Sequence, residues 1–350
     1  MARAPLARVD VSQTPLVTIW EVTRACALAC RHCRAEAIPR RHPLELTTEE
    51  GFRLMDQVRE LGSPLFVLTG GDPLLRPDFF DLVRYATEIG LRVAATPSGT
   101  GLLTRENIRR AAEAGLRRVA FSLDGVSAGT HDAFRGVKGS FRRTLAGIGY
   151  AREAGMEVQV NTTVTRWNLA ELREMPRLLE ELGVRLWAVF FLVPVGRGLQ
   201  EDMITPEEHE EVCRWLVEVG ERVSFPIKTT EAPFYRRVAL QMGRPVPYTV
   251  NDGKGFVFID HLGNVCPSGF LPLPAGNVRE QSLAEIYRNA PLFRDLRNPD
   301  LLKGKCGRCE YRSLCGGSRA RAWALTGDPL ASDPACPYEP EGAPGAAASA

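Results

Sequence analysis

Cys26, Cys30 and Cys33 stand together in the stretch RACALACRHC, and the next cysteine is Cys213. Three thiolates are strong ligands for soft metals, so zinc or an iron–sulfur cluster is the chemistry in question. Structural zinc takes four ligands in a closed tetrahedron. His32 directly precedes Cys33 and is badly placed to complete a Cys3His set. A cubane of four irons held by three thiolates leaves one iron without a protein ligand, open to a substrate or cofactor.

A second group reads Cys306, Cys309, Cys315 and Cys336, which is C-x2-C-x5-C followed by a distant fourth thiol. Four thiolates can close a site, either a second cluster or a zinc ribbon. Two cysteines remain. Cys213 lies in the helical stretch EEVCRWLVEV and reads as a structural thiol. Cys266 is open to three readings: a partial ligand, a substrate contact or a structural thiol.

The chain that must position these residues has 350 residues, 44% of them hydrophobic and 25% charged, with a formal charge of +2. One large domain plus a smaller one is expected. No block of like charge marks a nucleic-acid surface, and no run of 18 apolar residues would span a membrane. The start MARAPLARVDVSQTP lacks the apolar centre of a signal peptide. A cytoplasmic location follows as the expectation, where cysteines serve metal or redox chemistry and disulfides are rare.

From residue 17 to about 222, β-rich runs alternate with helical ones. The strands are LVTIWEV, PLFVLTG, LRVAATP, RRVAFSL, MEVQVNTTV and RLWAVFFLV. The helices open on Thr47 and Thr104 as caps and close before Gly62, Gly90, Gly115, Gly155 and Gly183. Six strand–helix units predict an α/β fold with a parallel sheet, a partial (β/α)6 barrel over residues 16–230. Residues 1–15 form an N-terminal extension. Residues 231–340 are rich in Pro, Gly and Cys and form a small α+β domain. It holds a hairpin in GFVFIDHLGNVCPSG, a helix at SLAEIYRN and another starting near Ser313. The tail at 341–350 has the composition of disorder. Barrel chemistry sits at the carboxyl ends of strands. There the sequence places the three-cysteine motif, TGGDP, PSGT, SLDG, NTTVTRWN and PVGRG in turn.

The order and placement of C-x3-C-x2-C, GGDP and SLDG resemble the radical S-adenosylmethionine (SAM) superfamily over residues 16 to about 200. The resemblance implies a [4Fe–4S] cluster on Cys26, Cys30 and Cys33. Its open iron binds SAM, and one electron cleaves SAM to methionine and a 5′-deoxyadenosyl radical. It further implies that Gly70 and Gly71 admit the methionine part of SAM and that Asp72, where Glu is commoner, accepts from its ammonium. Ser98, Ser122 and Asp124 are implied to hold ribose or carboxylate, and Arg135 to pair with the SAM carboxylate. Asn161 and the PVGRG turn are implied contacts for ribose and adenine. Read without the resemblance, GGDP and Asp124–Gly125 are ordinary turns, and Arg135 is a surface ion pair or helix cap.

The second cysteine group resembles the SPASM or twitch domain that follows many such barrels. That domain's full pattern has seven cysteines and two clusters. Here Gln281 stands where one cysteine is expected, and Ser318 and Arg319 occupy the stretch of another. One auxiliary [4Fe–4S] cluster is therefore expected, on Cys306, Cys309, Cys315 and Cys336. RARAWALTGDPLASDPAC resembles radical SAM enzymes of tetrapyrrole metabolism, which alter propionate side chains of haem precursors. The alternatives are a maturase acting on a ribosomal peptide, against which the lack of a separate N-terminal recognition domain leans, and a non-catalytic iron–sulfur or zinc scaffold. The resemblance also implies a reductant such as flavodoxin or ferredoxin, with no nucleic-acid or membrane partner.

Overall fold

The computed structural model describes residues 9–246 and 250–341. The barrel half opens with β1 (Val17–Glu21), α1 (Thr48–Glu60), β2 (Phe66–Thr69), α2 (Phe79–Glu88), β3 (Val93–Ala95) and α3 (Arg105–Glu113). It continues with β4 (Arg118–Ser122), α4 (Ala128–Arg135), α5 (Ser140–Glu153), β5 (Glu157–Val164), α6 (Met175–Glu181), β6 (Leu186–Phe191) and α7 (Pro206–Val219). Then come β7 (Ile227–Thr230), α8 (Tyr235–Gln241) and the small strands β8 (Phe256–Ile259), β9 (Asn264–Cys266) and β10 (Gly276–Asn277). Four short helices finish the chain: α9 (Leu283–Asn289), α10 (Pro291–Arg297), α11 (Gly304–Arg308) and α12 (Arg319–Thr326).

The six expected strands are present and pair in parallel, each with its successor in sequence. Their helices start and stop as the sequence requires. Thr47 and Glu50 form a capping box on α1, and Thr104 caps α3. Gly62, Gly90, Gly115, Gly155 and Gly183 all take positive φ, which a side chain would resist. Trp20, Phe66, Phe79, Phe121, Trp187 and Phe191 are buried where the sheet meets its helices. Each contributes on the order of 1.5–3 kcal/mol or more to that packing.

Two features of the sheet depart from expectation. A seventh parallel strand, β7, follows β6 inside the Pro-rich stretch SFPIKTTEAP. Pro226 donates nothing to the ladder, but its carbonyl accepts the Trp187 N–H at 3.1 Å, so the proline borders the strand without breaking it. The hairpin of β8 and β9 turns at HLGN as expected, yet β8 also pairs in parallel with β1. One ten-stranded sheet, in the order β10-β9-β8-β1-β2-β3-β4-β5-β6-β7, therefore runs through both halves of the chain.

The helix expected near Ser313 begins at Arg319, capped by Ser318. Gly316 and Gly317 have φ of 69° and 67°, a left-handed pair that keeps the preceding residues out of the helix. Of the N-terminal extension, residues 9–15 are described. Val11 and Gln13 offer carbonyls to Tyr287 and Arg288 of α9. Apart from Glu341, the expected disordered tail lies outside the described residues.

Candidate functional site

The loop after β1 carries Cys26 and Cys30, both buried, and the half-buried Cys33. Backbone N–H groups point at two of the sulfurs: Leu28 N–H lies 3.4 Å from Cys26 Sγ, and Ala37 N–H lies 3.5 Å from Cys33 Sγ. Arg135 Nη1 stands 3.7 Å from Cys30 Sγ. Burial pushes the Cys26 thiol up to about 11 and raises that of Cys30, against which Arg135 pulls. Such thiols stay protonated unless a metal takes the proton's place.

The loop is clamped from three sides. Gly71 N–H donates to Thr23 O at 2.8 Å, and Asp72 N–H to Ala25 O at 2.7 Å. A Cβ on Gly71 would lie 2.2 Å from Ala25 O, and one on Gly70 would lie 2.5 Å from Thr23 O. The glycines of GGDP thus let two backbones close on each other beneath the cysteines. From the turn after β6, Arg197 Nε donates to Cys30 O at 2.9 Å and Nη1 to Ala37 O at 3.2 Å. A Cβ on Gly196 would meet Cys33 O at 2.5 Å. The PVGRG turn therefore grips the cysteine loop, where a ribose or adenine contact was expected of it. On the third side Arg34, next to Cys33, pairs with buried Glu21 at 2.8 Å and lies over the Phe258 ring at 4.4 Å. Glu21 also accepts from His261 Nδ1 at 3.0 Å, so the β8–β9 turn is tied to the loop.

A small cavity opens beside the loop, lined by Ser98, Ser122, Arg135, Leu28, His131 and Thr144 among others. Three residues expected to contact SAM meet there. Ser98 donates to Gly71 O at 2.8 Å and lies 3.8 Å from Cys26 Sγ. The two acids behave differently from expectation. Asp72 is enclosed and accepts from Thr100 Oγ1, Leu74 N and Ser98 N. Asp124 is enclosed too and accepts from Thr163 N at 2.9 Å and from Arg135 Nη2. Neither carboxylate has surface left to meet a ligand. Asp72 holds the PSGT loop, and Asp124 holds Arg135. Burial opposes the charge on Asp124, but the Arg135 guanidinium, together with the Thr163 N–H and smaller charge effects, keeps the carboxyl below its usual range. Asn161, on β5 next to Ser122, accepts from Gln159 at 2.6 Å.

Two histidines frame the arginine. Burial and Arg135 draw His32 down to about 3, and its neutral ring stacks on Phe134 with centroids 4.2 Å apart. Burial draws His131 down to about 4. Its Nδ1 accepts from Asp124 N–H, which leaves Nε2–H to donate to Ser140 Oγ at 3.2 Å. Arg135 Nε is buried without a partner among the described residues. Arg135 also lines the cavity beside the thiol loop, where its positive charge suits an anionic ligand such as a SAM carboxylate.

In the C-terminal region Cys306, Cys309, Cys315 and Cys336 lie near enough for their charges to act on one another. Gly317 N–H points at Cys315 Sγ at 3.4 Å, Asp333 N–H at Cys306 Sγ at 3.4 Å, and Arg319 Nη2 at Cys306 Sγ at 3.8 Å. Among the described residues no three His, Cys, Asp or Glu side chains close to the spacing of a single metal ion. The arginines of RARAW are interior struts. Arg319 holds the carbonyls of Pro329 and Ala331, and Arg321 pairs with Asp333 at 2.9 Å, fixing the segment that ends in Cys336. Cys266 is buried at the end of β9. Burial pushes it up to about 12, and the charges bearing on it are Asp260, Glu21 and Arg34. It thus belongs with the first strand and the three-cysteine loop. Cys213 is buried in α7, as a structural thiol would be.

A sequence profile of the radical SAM superfamily matches residues 20–179, and that of SPASM, an iron–sulfur cluster-binding domain, matches residues 251–310. The AdoMet-dependent heme synthase of Oleidesulfovibrio alaskensis is 43% identical over 353 residues, spanning 96% of this chain and 91% of the relative. The chain belongs to the radical SAM superfamily. The AdoMet-dependent heme synthase of Methanosarcina barkeri is 42% identical across 95% of this radical SAM chain and 99% of its own. The PqqA peptide cyclase of Bradyrhizobium diazoefficiens is 30% identical over 93% and 87%. In fold the chain is similar to Streptococcus suis SuiB bound to S-adenosylmethionine, with a TM-score of 0.76 at 15% identity over 93% of this chain and 78% of that one. The domain pair makes this an enzyme that uses SAM, a [4Fe–4S] cluster and an auxiliary iron–sulfur cluster. No helix among the described residues is long and apolar enough to cross a membrane.

Proposed function

We propose that this enzyme removes hydrogen from a side chain of a haem precursor, with oxidative decarboxylation of a propionate as the net change. The observation that carries the reading is likeness along nearly the whole chain, above 40% identity, to proteins named heme synthase. In this reading Cys26, Cys30 and Cys33 hold the cluster that binds SAM, and Arg135, which lines the cavity beside them, offers its guanidinium to the SAM carboxylate. Ser98, Ser122 and Asn161 face the rest of the cofactor, while Asp72 and Asp124 act behind the residues they hold. Cys306, Cys309, Cys315 and Cys336 hold one auxiliary cluster, and a flavodoxin- or ferredoxin-type protein supplies electrons. When bound, the cluster and SAM supply a 5′-deoxyadenosyl radical on one-electron reduction. The chain supplies placement and dryness: a buried thiol loop, neutral His32 and His131, and an arginine fixed by an enclosed acid.

Converting a propionate to a vinyl group would remove one hydrogen atom, taken up by the 5′-deoxyadenosyl radical, then carbon dioxide and one electron, for which the auxiliary iron–sulfur cluster would be the acceptor. The test is anaerobic incubation of the reconstituted enzyme with SAM, dithionite and an iron porphyrin bearing propionates, followed by mass spectrometry. Loss of carbon dioxide in step with 5′-deoxyadenosine is the expected result. A porphyrin left unchanged while SAM is consumed would sink the substrate assignment and favour a peptide substrate.

A further inference from the structure

A guanidinium buried away from water is costly unless an anion answers it. Near the four-thiol group stand Arg236 and Arg237 of α8 and Arg319 and Arg321 of α12, and they are answered differently. Arg237 pairs with Glu210, and Arg321 pairs with Asp333. Arg236 and Arg319 are both buried, and neither makes an ion pair among the described residues.

Arg319 rests in a cradle of carbonyls. Its Nη1 donates to Pro329 O at 3.0 Å and Ala331 O at 2.7 Å, and its Nε to Gly317 O at 3.2 Å. That leaves Nη2, which reaches Cys306 Sγ at 3.8 Å. Gly317 makes the approach possible: a Cβ there would lie 2.5 Å from Arg319 Nη2 and 3.3 Å from Cys306 Sγ. Arg236 is held in the same way, with Nη1 donating to Leu314 O, next to Cys315, at 3.3 Å and Nη2 to Val250 O. The acids of the region are engaged elsewhere. Asp252 accepts from the backbone N–H of Arg319 and Ala320, Glu231 from Ser318, and Glu310 from Tyr338.

Two buried cations, one against Cys306 and one beside Cys315, thus lack an anion. Four thiolates on a [4Fe–4S] core supply it, since their negative charge exceeds the positive charge of the core. An added electron makes that group more negative still, so a cation held at its sulfur favours the reduced form. Arg237 and Arg321 are cancelled by their acids, whereas neutral carbonyls leave the charge of Arg319 and Arg236 to act. The stretch that holds a further cysteine in the fuller pattern here holds a charge.

We propose that Arg319, seconded by Arg236, raises the reduction potential of the auxiliary cluster and so equips it to take the electron that leaves the substrate. The source of that electron rests on the haem-precursor reading above, and the potential does not. A purely structural role is also open to Arg319, because it ties Gly317 to the segment that ends in Cys336. The two differ in what charge alone does to the potential.

The test uses Cys26→Ala/Cys30→Ala/Cys33→Ala protein, in which only the auxiliary cluster remains. Its electron paramagnetic resonance is followed against a poised potential, with iron content and thermal unfolding measured alongside. At a fixed potential, Arg319→Gln should lower the ratio of reduced to oxidised cluster about tenfold, a shift of about 59 mV. Arg319→Lys keeps the charge and should recover most of that loss. Arg236→Gln should shift the potential in the same direction, and decides the matter if Arg319→Gln fails to hold iron. An unchanged potential in the iron-replete glutamine variant, or an equal fall in Arg319→Gln and Arg319→Lys, overturns the proposal. In the otherwise intact enzyme with an iron porphyrin, Arg319→Gln should release less carbon dioxide per 5′-deoxyadenosine formed, and an unchanged ratio overturns the acceptor role. A porphyrin that the wild type leaves untouched removes the haem-precursor reading, while the shift in potential stands without it.

Discussion

Asp124 and Arg135 illustrate how far single residues can be read. Both were legible in the sequence as candidates, Asp124 within SLDG and Arg135 within HDAFRGVKGSF. Their division of labour was not, because burial decides it: the acid is enclosed and the arginine lines the cavity. Asp124→Asn keeps the shape and removes the charge that fixes the guanidinium. It should bind SAM about tenfold more weakly by equilibrium titration, with iron content unchanged. Unchanged SAM affinity would mean that Arg135 is held by other contacts. Arg197 was legible only as part of the PVGRG turn and in another role, and the Glu21–His261 pair had no local signal at all. Glu21 and His261 are 240 residues apart, and only the fold brings them together.

At the scale of elements the strand and helix pattern was readable from period and caps, down to the five glycines that end helices. What failed to show was β7, since Pro226 and Pro233 flank it and only four residues pair. The GGDP turn was legible as a special backbone, but its neighbour was not. The partner is the cysteine loop itself, packed so closely that Gly71 has no room for a methyl group. Gly71→Ala should therefore cost the enzyme its first cluster, halving the iron per chain, while the auxiliary cluster's absorbance survives. Gly149→Ala is the control: it lies in α5 with nothing near its Cβ position, and should be neutral or stabilising by about 0.5–1 kcal/mol. Full iron in Gly71→Ala protein would contradict the clamp.

Across the whole molecule, the continuous sheet makes the two halves one structure and brings the hairpin of the second half against Arg34 of the first. A further tie is Arg279, which pairs with Glu50 at 2.7 Å beside the α1 cap. The hydrogen bond from Arg279 depresses the Glu50 carboxyl to about 2. The group is more acidic folded than unfolded, so its contribution is present above its usual value near 4.5 and lost as pH falls toward 2. Glu50→Gln should lower the melting temperature by a few degrees at neutral pH, an effect of roughly 1 kcal/mol, and the difference from wild type should shrink with acid in that window. A difference independent of pH would assign the effect to the capping box alone. In the proposed arrangement the three-thiol loop holds a cluster open to SAM and the four-thiol group holds one closed to it. The direct measurement is electron paramagnetic resonance of the reduced protein with and without SAM, in wild type and in Cys26→Ala/Cys30→Ala/Cys33→Ala. SAM should perturb one of two signals in the wild type and leave the surviving signal of the triple variant untouched. A surviving signal that still responds to SAM, or a wild type in which no signal does, would contradict it.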